Sequence, residues 1–228
     1  PVTGEQVPDE AARTVMYRYV NPRKAAWPAA DYIVGNPPFV GTKRMRAVLG
    51  DGYVDAIRET WDELPDSSDF VMYWWHAAAR LLQVGGVQRF GFITTNSITQ
   101  SFNRRVVSSL LEAKPPVSIV FAIGDHPWVD ASDGAAVRIS LTVVESGSVQ
   151  GVAGSIVRER GGSDGSVEVD LKFTSGTVDA ALRAGASLVA TTALRANGGF
   201  SGMGSALHGA GFKLDPEEAR ALREQGPT

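Results

Sequence analysis

The sequence predicts an α/β fold with a largely parallel sheet that contains one reversed strand. Apolar, strand-like runs alternate with helical patterns through the first three strands, and strands joined by helices run parallel. The third and fourth runs are joined only by residues 125–136, which show no helical pattern, so we expect the fourth strand to be antiparallel. The chain has 228 residues, 43% hydrophobic and 21% charged, and can bury a sizeable core.

The first predicted strand is "DYIVG", residues 31–35. Tyr32, Ile33 and Val34 follow one another without a polar interruption, which favours a buried strand. Residues 42–62 read as two short helices broken at "GDG", residues 50–52. A further short strand is possible at residues 14–20.

The clearest helix lies within residues 67–86. Ser67 or Ser68 can cap it, an aromatic stripe marks one face, and two glycines end it. The elements that follow are a strand over 87–98, a helix over 103–113, and strands over 117–124 and 135–146.

Residues 149–176 have the strand patterning and Gly-rich punctuation of a β-hairpin. We therefore divide the chain into a linker or domain edge (1–30), a catalytic part (31–148), and an extension made of the hairpin and a Gly-rich segment (149–228).

Composition excludes several classes of site. The chain has no cysteine, which rules out disulfides, Cys-ligated zinc and a thiol nucleophile. His76, His126 and His208 are scattered, and no metal site is predicted. The net charge of −3 provides no overall basic field, although a local basic patch is enough to contact phosphates. No signal peptide or membrane-spanning run is present, so we expect a cytoplasmic location without membrane contact.

The most informative stretch is Asn36-Pro37-Pro38-Phe39, directly after the first strand. Ligands of open α/β sheets bind outside the carboxyl ends of the strands, where Asn36 is placed. The prolines fix the backbone near φ −65°, so the Asn side-chain oxygen and a neighbouring carbonyl form two acceptors at a set angle. Two such acceptors match the two N–H groups of an exocyclic amine, and Phe39 offers a face for stacking a planar ring. This motif predicts a binding site for an NH₂ group on a planar ring.

This motif resembles that of class I S-adenosylmethionine-dependent amino-methyltransferases, chiefly DNA adenine-N6 enzymes. The blocks "ADYIVGNPPFVGTKRM", "SSDFVMYWWHAAARLLQVGG", "FGFITTNSITQS" and "HPWVDASDGAAVRISLTVVES" resemble the gamma-type methyltransferase region of MmeI-like (type IIL) restriction-modification proteins over about residues 28–146. The resemblance implies a Rossmann-like three-layer sandwich, S-adenosylmethionine as cofactor, and methylation of DNA in a restriction-modification or phage-defence system.

The resemblance also implies roles for single residues. Asn36 and the Pro37 carbonyl would accept from adenine N6, Pro38 would hold the turn, and Phe39 would stack on the adenine of double-stranded DNA, flipped out of the helix. Asn36 would also border the cofactor.

Other positions carry implied roles with a structural alternative for each. Asp69 would line the cofactor or target pocket, or else cap the long helix. Trp128 would be a second aromatic against the flipped base, or else pack over its loop. Contacts with DNA phosphates, or a merely solvated surface, are expected at Lys43, Arg44, Arg46, Arg104 and Arg105. Asn96 and Ser97 are expected as polar groups at the edge of the site, with Asn96 in contact with the DNA.

Two rival functions remain open from the sequence. The same tetrapeptide serves methyltransferases of guanine N2 in RNA and of the glutamine amide in release factors. A non-catalytic, DNA-binding methyltransferase-like module is the second rival.

The Gly-rich cofactor loop and the ribose-binding acidic residue of such enzymes would lie upstream of Asn36, and residues 1–30 do not supply them. We therefore expect this chain to be a fragment whose parent adds a cofactor-binding half and a target-recognition domain. The truncated sheet would leave the "DYIVG" strand as an exposed apolar edge that is prone to aggregation. The 228 residues alone are predicted to bind S-adenosylmethionine poorly and to methylate nothing detectable. Isothermal titration calorimetry checks this prediction, which tight cofactor binding would contradict.

Overall fold

The structure is a computed structural model that describes residues 16–128, 137–161 and 167–185. These residues lie within one compact unit, Pro1–Ala190. The described elements, in chain order, are β1 (Tyr32–Gly35), α1 (Thr42–Leu49), α2 (Asp51–Thr60), α3 (Val71–Gln83), β2 (Arg89–Thr95), a 3-10 turn (Asn96–Thr99), α4 (Ser101–Leu111), β3 (Val117–Trp128), β4 (Val137–Ser146), β5 (Gly151–Gly161) and β6 (Val167–Gly176).

The six described strands form one sheet in the order β1-β2-β4-β3-β5-β6. β1 pairs parallel with β2, and β4 runs antiparallel to both β2 and β3, so the predicted reversed strand is confirmed. β4 lies between β2 and β3, however, so β3 is parallel to β2 in direction without pairing with it. As a result, the carboxyl ends of β1, β2 and β3 open on the same edge of the sheet.

β3 is longer than the sequence indicates. The predicted strand ends at residue 124, but the observed one continues to Trp128, which pairs with Val137 across from it. The ladder is irregular between Ile123 and His126, where Asp125 has a φ of 58°. The strand therefore continues beyond residue 124 after a bulge, and the first part of the predicted connecting loop belongs to β3.

The predicted hairpin is confirmed as β5 and β6, an antiparallel pair. β5 also pairs parallel with β3, so the hairpin extends the same sheet. The domain division at residue 149 stays a prediction.

The core lies where α3 packs on the sheet. Trp75 is fully buried, with its ring 5.3 Å edge-on from that of Phe90, and its indole N–H donates to the Thr142 hydroxyl at 3.3 Å. His76 is also buried, and burial lowers its pKa to about 4. His76 is therefore a neutral packing residue at physiological pH.

The ends of the helices only partly follow the prediction. α1 and α2 are separated at Gly50, whose φ of 83° interrupts the helix as predicted. α3 begins at Val71 and has no side-chain cap, so the predicted capping by Ser67 or Ser68 is wrong. The predicted strand at residues 14–20 is absent from its described part, residues 16–20. This segment instead lies against α2, so close that a Cβ on Gly52 would come within 1.7 Å of the Tyr17 carbonyl oxygen.

The exposed apolar edge expected of β1 in a truncated sheet is confirmed, whereas the burial that its apolar run favours is not observed. β1 is an edge strand of the described sheet, with Tyr32 60% and Val34 87% exposed, whereas Ile33 packs on the core. The Val34 face continues into a groove of about 710 Å³ whose wall includes Leu141 and Val143. An apolar edge and an apolar face of this kind favour intermolecular association.

Val34→Lys is therefore expected to reduce self-association of the 228-residue polypeptide and to change its unfolding free energy by less than about 0.5 kcal/mol, because the side chain is exposed. Sedimentation velocity and urea unfolding provide the two measurements. Ile33→Ala, one position away, should instead cost at least about 1 kcal/mol, because its side chain contacts the core. Equal self-association of wild type and Val34→Lys would contradict the prediction.

Candidate active site

The Asn36–Phe39 loop follows the carboxyl end of β1, and its amide and aromatic side chains are exposed. Pro37 is buried, whereas Asn36 and Phe39 are exposed, Phe39 by 37%. Among the described residues, no group hydrogen-bonds to the Asn36 amide. The buried proline fixes the loop while the amide stays accessible.

The two proline carbonyls differ in availability. Val40 N–H donates to the Pro38 carbonyl at 3.1 Å, closing a three-residue turn around Phe39. Within the described part of the chain, the Pro37 carbonyl accepts no hydrogen bond. The Asn36 amide oxygen and the Pro37 carbonyl are thus the two acceptors that the sequence motif predicts, open in the sense that no described group donates to them.

The end of the loop is pinned to the segment before α3. The Val40 carbonyl accepts from Phe70 N–H at 2.9 Å, and Thr42 N–H donates to Asp69 Oδ1 at 2.8 Å. These bonds fix the backbone that follows Phe39. Thr42 and Asp69 are 27 residues apart in the sequence, so the contact is between distant segments. The loop is therefore restrained at both ends, by β1 and by Asp69-Phe70.

Asp69 also joins two further elements. Its Oδ2 accepts from the Ser97 hydroxyl at 2.6 Å and from the Asn103 amide at 2.8 Å, while its backbone N–H donates to Asn103 Oδ1 at 3.0 Å. Both carboxylate oxygens are thus engaged by the chain's own donors, and no side-chain bond caps α3. The capping alternative for Asp69 is wrong, its cofactor role stays a prediction, and its contacts are those of an anchor.

Asn96 follows β2 at the same edge and is fully bonded. Its amide donates to Asp125 Oδ1 at 2.9 Å, and its oxygen accepts from Asp125 N–H at 3.1 Å and from the Ser140 hydroxyl at 3.0 Å. The DNA contact expected of Asn96 stays a prediction, but this amide differs from the open one of Asn36.

An arginine holds the bulge of β3 in place. Arg138 bonds to the Asp125 carboxylate at 2.8 Å and to Glu159 on β5 at 2.7 Å. The hydrogen bond with Glu159, reinforced by that with Asp125, raises the pKa of Arg138, and the same partnership lowers the pKa of Glu159. This chain of charges connects β3, β4 and β5, and sequence reasoning did not identify it because its members are far apart along the chain.

The predicted basic contacts fall into three groups. Lys43 and Arg44 are exposed on α1 and form no ion pair within the described ranges. Arg46 is instead paired with two carboxylates, at 2.9 Å and 2.7 Å. On α4, Arg104 is half-buried and Arg105 lies over the Phe102 ring, 5.7 Å from its centroid.

Trp128 ends β3, which is not adjacent to β1 in the sheet. It is 40% exposed at the end of β3, and β3 is three strand spacings from β1, or about 14 Å. Its role against a flipped base stays a prediction.

The described residues fit one of the two reactants well. Open acceptors and an aromatic face suit an amino group on a planar ring. No glycine occurs in residues 16–31, the described segment up to β1, and the carboxylate next to β1 is that of Asp31, which accepts from the Gln88 amide at 3.0 Å. No cluster of three metal-ligating side chains occurs in the ranges that the structure describes.

Asp69→Asn is expected to lower the unfolding free energy by about 1–3 kcal/mol, because one carboxylate oxygen becomes an NH₂ group that faces the Asn103 amide donor. Urea unfolding provides the measurement. Asp66→Asn makes the same change at a side chain that is 77% exposed and 3.9 Å from Arg58, and should have an effect within about 0.5 kcal/mol. Equal stabilities for the two variants would contradict the anchoring role.

Comparison of the structure with solved structures confirms the fold. It is similar to the type IIL restriction-modification enzyme MmeI in complex with DNA, at 24% identity and a TM-score of 0.53, over 69% of this chain and 20% of that chain. A modification subunit assigned to a type I restriction enzyme from Vibrio vulnificus YJ016 is more distant, at 14% identity and a TM-score of 0.39, over 58% of this chain and 26% of that one. The first likeness confirms the Rossmann-like methyltransferase fold that the sequence predicts.

The sequence comparisons identify the family. No curated protein sequence matches the chain significantly. A family model described as the DNA-methyltransferase domain of MmeI matches residues 3–152, which is more than half of the chain. The chain therefore belongs to the MmeI DNA-methyltransferase domain family.

Proposed function

We propose that this chain carries the catalytic loop of a DNA methyltransferase that transfers a methyl group from S-adenosylmethionine to adenine N6 in a restriction-modification or phage-defence system. The supporting observation is the pair of open acceptors, the Asn36 amide oxygen and the Pro37 carbonyl, beside the exposed face of Phe39. Other polar groups of this edge, such as the Asn96 amide and the Pro38 carbonyl, are already bonded.

The open acceptors define what the chain's own residues do in the reaction. Each one takes one N–H of the exocyclic amine, which shifts the nitrogen from planar towards tetrahedral geometry and frees its lone pair. S-Adenosylmethionine, when bound, would supply the electrophilic methyl group and leave as S-adenosylhomocysteine, and the methylated nitrogen would then lose one proton. The contribution of Asn36 and Pro37 is therefore positioning and electrostatic stabilisation, without a strong base.

Phe39 and the position of the loop point to a base outside the double helix. N6 of adenine is out of productive reach within the duplex, so the base has to be extruded at a cost of a few kcal/mol. Stacking on an aromatic ring stabilises the extruded base by about 1–3 kcal/mol. The exposed Phe39 ring, held by the turn from Pro38 to Val40, offers such a platform.

The rival functions share the tetrapeptide but are less well supported. The family match concerns a DNA-methyltransferase domain, which favours DNA over RNA guanine or a glutamine amide as substrate. The open Asn36 and Pro37 acceptors favour catalysis over a purely structural module. None of the described helices is long and apolar enough to cross a membrane.

Asn36→Ala, in the protein expressed from its full coding sequence, is expected to reduce adenine methylation at least about 100-fold, because one of two acceptors that act in the transition state is lost. Duplex DNA is incubated with labelled S-adenosylmethionine, and the methylated nucleosides are identified by mass spectrometry. The exposed position of Asn36 predicts an unchanged melting temperature, which separates catalytic loss from unfolding.

The product analysis separates the candidate functions. N6-methyladenine made by the wild type and lost in Asn36→Ala supports the proposal. Undiminished N6-methyladenine in the variant would refute the role of Asn36. Label on RNA guanine or on a protein glutamine, with none on DNA, would replace DNA by one of the rival substrates.

A further inference from the structure

A second, polar cleft opens on the same edge of the sheet as Asn36. Its volume is about 910 Å³, and its walls come from the 3-10 turn, α4, the bulge of β3, β5 and the segment after β6. Asn96 and Asp125, at the carboxyl ends of β2 and β3, lie on its wall. β2 and β5 are one and four strand spacings from β1, so the cleft extends from about 5 to about 19 Å from β1 along the sheet.

The segment after β6, residues 177–185, forms a tightly bonded loop. Val178 pairs with Ala184 through an isolated bridge, and Val178, Ala180 and Leu182 are each 3% exposed. Asp179 Oδ1 accepts from Ala181 N–H at 2.9 Å and from Arg183 N–H at 3.1 Å. The apolar side chains anchor the loop, and its backbone is held by its own carboxylate.

The loop stores strain at the residue before Arg183. Leu182 has a φ of 60°, a left-handed conformation that costs a branched residue on the order of 1–3 kcal/mol. The buried Leu182 side chain and the Asp179 bonds hold it there. This backbone places Arg183 on the rim of the cleft, exposed to solvent.

Two guanidinium groups line this cleft without a carboxylate partner. In the described part of the chain, neither Arg104 nor Arg183 forms an ion pair. The acidic residues of the wall are engaged elsewhere: Asp125 bonds to Arg138, and Asp179 accepts from the backbone of its own loop. Planar guanidinium groups in a wet polar cleft match the bidentate geometry of a phosphate.

We propose that this cleft binds a backbone phosphate of the DNA strand that carries the target base, with Arg104 and Arg183 as its ligands. The inference rests on the proposed function for its choice of partner. About 5–19 Å corresponds to roughly two to six nucleotides at 3.4 Å per nucleotide along one strand. The contact therefore fixes the strand beside the flipped base and leaves the base itself to Asn36 and Phe39.

The test uses Arg183→Gln and Arg104→Gln in the protein expressed from its full coding sequence, with DNA affinity measured over a range of salt concentrations. Each variant removes one of the two charges on this phosphate, so the negative slope of log K for DNA binding against log salt should become shallower, by up to about 1. Binding to cognate and non-cognate duplexes should weaken by the same factor. Arg80→Gln is the control, since Arg80 bonds to Gln83 on α3 and lies outside the cleft, and its slope should equal that of the wild type.

The same preparations are assayed for methylated nucleosides, so the inference and the proposed function can fail separately. A wild-type slope in Arg183→Gln, with N6-methyladenine still formed by the wild type, overturns the phosphate site alone. A reduced slope without N6-methyladenine from the wild type retains the phosphate site and overturns the proposed reaction. No DNA binding by the wild type overturns both. Arg183 is exposed, so its variant is informative even if the half-buried Arg104 variant unfolds.

Discussion

The candidate site depends on the carboxylate of Asp69 more than on any other group outside the loop. Three donors from three different segments converge on it: Thr42 N–H after the loop, the Ser97 hydroxyl after β2, and the Asn103 amide on α4. Each bond is 2.6–2.8 Å long, in the range of charge-assisted hydrogen bonds. The carboxylate thereby sets the distance between the end of the Asn-Pro-Pro-Phe loop and the next strand's carboxyl end.

This anchor divides the polar groups of the sheet edge into two classes. The amides of Asn96 and Asn103 bond to other groups of the protein, and these bonds rigidify the edge of the sheet. Asn36 keeps its amide open on a backbone that Pro37 and the Asp69 anchor restrain. The restrained backbone reduces the reorganisation that is needed to bring this acceptor to the reacting amine.

The features that the sequence predicts correctly are those that neighbouring residues determine. Gly50 breaks the helix, the prolines open the loop, and the hydrophobic patterns mark the strands, all within a few residues. The sequence leaves Asp69 open between a pocket residue and a helix cap, because the partners of its carboxylate lie 27–34 residues away. The apolar run of β1 favours burial, and only the truncation of the sheet predicts the exposed edge that is observed. The extension of β3 and the position of Arg183 likewise depend on contacts between distant segments, which a local pattern does not encode.

The most direct test of the account is a crystal structure of the protein expressed from its full coding sequence, bound to target DNA and to a nonreactive analogue of S-adenosylmethionine. The account predicts an extrahelical adenine stacked on Phe39, with N6 within about 3 Å of both Asn36 Oδ1 and the Pro37 carbonyl oxygen. Thr42 N–H should still bond to Asp69. An extrahelical base whose amino group meets other acceptors, or an adenine left in the helix, would contradict the account.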